Sequence, residues 1–178
     1  MRRWLLVLGG GLLVLLALLG LAGSTLPPAH TAASRLVLAA PAESVWTVTR
    51  DIASLPAWWS EVTSVEPLPS ADGGERWKED ASGFIMVLRA ETLEPGRRFR
   101  TVIENGRETG FEGTWTYDLV PTAAGTELRL TEEGSVANPF FRILARLRGP
   151  HATIDSYLGA LARRLGSSAS PEHLGPVP

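Results

Sequence analysis

From Trp4 to Gly23 the chain runs twenty positions without a charge, directly after Arg2 and Arg3. About 20 apolar residues in a helix cross the hydrocarbon core of a bilayer, so this stretch predicts a transmembrane helix over residues 4–23. The arginines before it place residues 1–3 in the cytoplasm and everything that follows on the outer side, a single-pass topology. The rival reading is a signal peptide cut near Ala22-Gly23-Ser24, which would leave an exported protein. Residues 24–33 are small and polar around Pro27-Pro28 and predict an extended stalk. Residues 166–178 have the composition of a disordered tail.

Between stalk and tail, residues 34–165 change period several times. Leu36 and Leu38 alternate as in a strand, and after Ala40-Pro41 a short helix carries Val45, Trp46 and Val48. The stretch AWWSEV after Leu55-Pro56 is too short for a stable helix alone. Turn clusters at ADGGE, ASG, EPGRR, ENGRETG and TAAGT then punctuate a series of strands, as in a meander of antiparallel hairpins. In FEGTWTYDLV, Phe111, Trp115, Tyr117 and Leu119 share one face; in TELRLTEEG, Leu128 and Leu130 point inward and the same parity points Glu132 inward. A buried carboxylate needs a partner. The last element opens with Asn138 as cap and Pro139 at the first helical position. Its apolar stripe is Phe140, Leu144, Leu147, Ile154, Leu158, Leu161 and Leu165, with His151 on the same stripe just after the break at Gly149-Pro150. The whole predicts an α+β fold: a curved antiparallel sheet wrapped around a long C-terminal helix, preceded by one transmembrane helix.

Composition narrows the chemistry. The chain has no cysteine, which removes disulfides and thiolate chemistry, and a net charge of −2, which argues against nucleic acid as a partner. From Arg35 to Val136 there are 10 basic and 17 acidic residues, whereas Asn138–Leu165 carries five arginines against Asp155 alone. That helix is therefore the basic part of the domain, either through complementarity with the acidic sheet or because it approaches anionic lipid. His30 falls in the stalk and His173 in the tail, leaving His151 as the only histidine between residues 34 and 165. A multi-histidine metal site, a phosphate-binding loop and a nucleophile elbow all lack their residues. The reading carries no cofactor and no metal, and takes the chain as a monomer.

The stretches LAAPAESVW, LPAWWSEVTSVE, GTWTYDLVPTAAGTELRLTEEG and NPFFRILAR together resemble the START-like (SRPBCC) superfamily, in particular its polyketide cyclase/dehydrase and lipid-transport group. The resemblance covers residues 34–165. It implies a helix-grip fold with a deep cavity between sheet and C-terminal helix that takes a lipid or another hydrophobic small molecule. Candidate wall residues are then Trp58, Trp59, Phe84, Met86, Leu88, Trp115 and Tyr117, with Glu132 and His151 as polar groups. Trp58 and Trp59 are adjacent and cannot point the same way, so one is expected beneath the helical turn and the other at the cavity mouth. Glu132 and His151 are also the candidate catalytic pair, because a carboxylate and an imidazole facing each other can act as acid and base, or can simply form a buried structural pair. Three functions stay open: a membrane-anchored binding module, a cyclase/dehydratase-type enzyme using His151 and Glu132, and a non-catalytic envelope protein-interaction module.

Overall fold

The computed structural model describes residues 2–71 and 74–175. Met1 of the expected cytoplasmic segment and residues 176–178 of the expected tail lie outside them. The fold is α+β: eight strands form one antiparallel sheet in the order β2-β3-β4-β5-β6-β7-β1-β8. In chain order these are β1 (Ala29–Leu38), β2 (Ser64–Ala71), β3 (Gly74–Ala81), β4 (Phe84–Glu94), β5 (Arg98–Ile103), β6 (Phe111–Thr122), β7 (Gly125–Val136) and β8 (Glu172–His173). The helices are α1 (Arg2–Thr25), α2 (Ala42–Arg50), α3 (Leu55–Trp58), α4 (Gly106–Thr109), α5 (Pro139–Arg148) and α6 (Ala152–Arg164).

Register explains which side chains face inward. Tyr117 pairs with Leu130 and Phe99, Trp115 with Glu132 and Thr101, and Trp77 with Leu88, so all of these share the concave face. The β6–β7 turn closes at Gly125, whose φ of +130° suits glycine and where a Cβ would collide with the Leu38 carbonyl oxygen. Over this face lies α6, burying Ile154, Tyr157, Leu158 and Leu161 against Leu36, Leu38, Phe99, Leu119 and Leu128. The sheet thus grips α6 as the alternation predicts.

Three expectations need correction. Strand β1 begins at Ala29, five residues earlier than the domain boundary at 34, because β7 runs on to Val136 and offers Ala29 and His30 partners at Ser135 and Gly134. The expected stalk therefore shrinks, while α1 continues past Gly23 to Thr25. The tail is ordered through β8: Glu172 and His173 pair with Arg35 and Ser34, and Arg35 donates to the Glu172 carboxylate at 2.7 Å. Polar composition hid this, since its ordering comes from a distant strand edge. The break expected at Gly149-Pro150 is complete, so the C-terminal helix is two helices. Asn138 caps α5 by accepting from Phe140 N–H at 2.9 Å, and Gly149, at φ +89° and ψ 151°, ends it.

Candidate functional site

Inside the grip, four aromatic rings meet. Trp59 comes from the residue after α3, Trp115 and Tyr117 from β6, and Tyr157 from α6; Trp59 lies 5.8 Å from Trp115 and 5.3 Å from Tyr157, and Tyr157 lies 5.5 Å from Trp115 and 5.8 Å from Tyr117. Phe99 stacks on Tyr117 at 4.1 Å. These rings pack between the sheet and α6, where the resemblance implies a deep cavity. The two tryptophans point different ways: Trp59 is buried and donates to Ser156 Oγ at 3.2 Å, while half-buried Trp58 covers Tyr157 from the side and donates to Ser54 Oγ at 3.1 Å. Both lean on Tyr157, which places Trp58 over the rings as a cover.

A carboxyl sits in the same interior. Glu79, on β3, is only 5 % exposed, and its one hydrogen-bond donor among the described residues is the Trp77 indole N–H, at 3.2 Å from Oε2. Burial pushes its pKa above the ordinary carboxyl value, against the lowering effect of that indole. The Tyr117 and Tyr157 hydroxyls, whose ionisation a charge on Glu79 opposes, are raised by burial far from ionisation, and they interact with each other and, for Tyr117, with Thr101. A carboxyl whose pKa burial raises holds its proton more readily than an exposed one, and in its protonated form it donates a hydrogen bond. Neither Glu79 nor Tyr157 was singled out from sequence. Their signals were present: Glu79 shares parity with Trp77, and Tyr157 lies on the same helical face as Ile154, Leu158 and Leu161.

Toward the other end of the sheet the packing opens. Phe84 and Met86 on β4, Ile103 on β5 and Phe111 on β6 are half-buried or exposed, and Phe141 of α5 closes over them, 5.7 Å from Phe84 and 5.5 Å from Phe111. Leu88 lies one step deeper, opposite Ile103. This is the mouth of the grip. Two further surface clefts, of about 540 Å³ beside α4 and about 310 Å³ beside Leu165–Ser168, are lined by none of the interior aromatic or carboxyl groups.

The expected pair of Glu132 and His151 does not form. Glu132 does point inward, but its partner is His30, whose Nε2 lies 3.6 Å from Oε1 and whose pKa is raised chiefly by that contact. The register brings His30 there opposite Gly134, where a Cβ would come within 2.6 Å of the imidazole. His151 instead stacks on His173 at 3.9 Å; the His173 Nε2 meets Asp155 Oδ2 at 2.6 Å, and Ser34 Oγ donates to Asp155 Oδ1 at 2.7 Å. The carboxylate stands between hydroxyl and imidazole, so no base reaches Ser34 and the group acts as a clasp for the tail.

The family model described as polyketide cyclase / dehydrase and lipid transport matches residues 29–166. The chain belongs to that family. Its START-like fold recurs in solved structures: a Thermus thermophilus protein at 23 % identity and TM-score 0.60, covering 78 % of this chain and 97 % of that one, and a START superfamily protein from Mycobacterium smegmatis at 16 % identity and TM-score 0.57, with the same coverage. The di-domain ARO/CYC protein StfQ of the steffimycin biosynthetic pathway matches at 13 % identity and TM-score 0.59 over 78 % of this chain and 52 % of its own. Among curated proteins none matches. The family match and these likenesses support a START-like, polyketide-cyclase-type ligand-binding domain. The N-terminal helix is long and apolar enough to cross a membrane, a property that a signal sequence shares.

Proposed function

We propose that this is a membrane-anchored binding module that takes a hydrophobic molecule carrying a carbonyl group. The observation that carries the reading is Glu79: a buried carboxyl on the concave face with one indole partner among the described residues and a pKa raised by burial. Such a group donates a hydrogen bond to a carbonyl oxygen, while Phe84, Met86, Leu88, Phe111 and Phe141 shield the rest of the ligand from water. The candidate wall residues Trp58, Trp59, Trp115 and Tyr117 form its inner limit, and His30–Glu132 supplies a second polar group near the entrance. The apolar run of α1 holds the domain at the bilayer, where a lipid or quinone-like molecule partitions.

The test is native mass spectrometry with lipid extraction on the full chain purified in mild detergent. A co-purifying carbonyl-bearing hydrophobe that is lost in Glu79→Leu is the expected result. An empty protein that also takes up no hydrophobic probe would sink this reading and favour the interaction module. The cyclase/dehydratase alternative has lost the acid–base pair it was built on, since Glu132 and His151 have separate partners.

A further inference from the structure

Three large apolar side chains of α5 stand in solvent: Phe140, Leu144 and Leu147, the last 79 % exposed. They fall at spacings of four and three and so line one face of the helix. The adjoining flank of the helix carries Phe141 against Phe84 and Phe111. The helix has three arginines and no acidic residue. Arg142 is used structurally, its guanidinium donating to the carbonyls of Val136, Ala137 and Leu26. Arg146 and Arg148 are exposed beside the apolar face, the second 3.7 Å from Glu61.

The position of α5 relative to α1 says what covers this face. Where Gly23 lacks a Cβ, the Pro139 carbonyl occupies the space, and the Phe140 ring lies against Gly20. Gly20 precedes the end of the uncharged run by three residues, about 4–5 Å along a helix axis. If that run spans the bilayer, Phe140 sits at the boundary of acyl chains and head groups, and α5 leaves it along the surface. We propose that α5 is an interfacial helix, with Phe140, Leu144 and Leu147 immersed in an anionic bilayer and Arg146 and Arg148 among its head groups. The inference rests on α1 being a membrane anchor. It adds that the mouth of the grip, roofed by Phe141 of the same helix, opens directly onto lipid, so a ligand moves between bilayer and domain without crossing water.

The absence of cysteine makes site-specific labelling direct. The full chain is reconstituted into vesicles of phosphatidylcholine with and without phosphatidylglycerol, carrying a bimane label at Leu147→Cys, at Leu13→Cys in α1, or at Val120→Cys on the far hairpin, with nitroxide quenchers placed near the head group or deep in the acyl chains. The expected result is loss of L147C fluorescence to shallow quenchers, deepened by phosphatidylglycerol, with V120C unaffected and L13C quenched by deep nitroxides. L13C quenched and L147C untouched overturns the interfacial helix and leaves the anchor standing. Both untouched overturns the anchor and the inference together. Quenching of L147C that ignores phosphatidylglycerol overturns the assignment to anionic lipid. Excimer emission from pyrene at the same position, without lipid quenching, shows the face covered by a second copy and overturns the proposal.

Discussion

Helices α5 and α6 descend from one apolar stripe, yet they have opposite fates. In α6 the stripe residues Ile154, Leu158 and Leu161 are wholly buried under the sheet; in α5 Phe140, Leu144 and Leu147 face solvent, and no α5 residue is fully buried. Periodicity identifies an apolar face but is silent about its cover. The break at Gly149 separates the two: α6 turns into the concavity, while α5 stays outside it beside α1. One face is the core of the domain, and the other is available to something that is not water.

The largest effect that would break this comparison is in the core. Leu158→Ala should cost about 2–5 kcal/mol, as lost burial and a residual cavity add; a chemical-denaturation shift below about 0.5 kcal/mol would mean α6 is not gripped as described. Glu79→Gln tests the interior in a different way. Because burial raises the folded pKa of Glu79, the native state holds its proton longer than the unfolded chain, so ionisation costs stability as pH rises from about 4.3 through the folded value. The variant should flatten that decline, and an unchanged pH profile would count against a buried neutral carboxyl.

His30 gives a smaller, oppositely placed effect at the mouth. Its folded pKa is raised by Glu132, so the pair's contribution is full below about pH 6.5 and fades as pH rises through the folded value. His30→Ala should remove a fall in stability that sets in above about pH 6.5, and wild-type dependence persisting in the variant would assign the fall elsewhere. Smallest of all, Leu147→Ala should leave detergent-solubilised stability within about 0.5 kcal/mol, because its side chain packs against little. A loss comparable to that of Leu158→Ala would show a protein partner for that face.

Much of the fold was legible in residue order. Strand parity in FEGTWTYDLV and TELRLTEEG placed Trp115, Tyr117 and Glu132 on the concave face, and the Asn138-Pro139 start and Gly149-Pro150 break of the last helices stand where the sequence puts them. The site was less legible because its polar groups meet through long-range register. His30 reaches Glu132 only because β1 extends along β7, and His151 is drawn to His173 only because the tail adds a strand. Glu79 lies among charged neighbours in the sequence, and its burial beside Trp77 follows from strand parity on the concave face.

The clasp of the tail has a consequence for how the molecule behaves in company. A sheet with two free edges invites growth by strand addition from neighbouring copies. Here the β2 edge carries Pro67 and Pro69, which lack the amide hydrogens that would recruit a strand, and the β1 edge is occupied in part by Glu172 and His173. Shortening the chain before Glu172 would bare the amide and carbonyl groups of Ala33 and Arg35, leaving an edge that a strand of a neighbouring copy could extend.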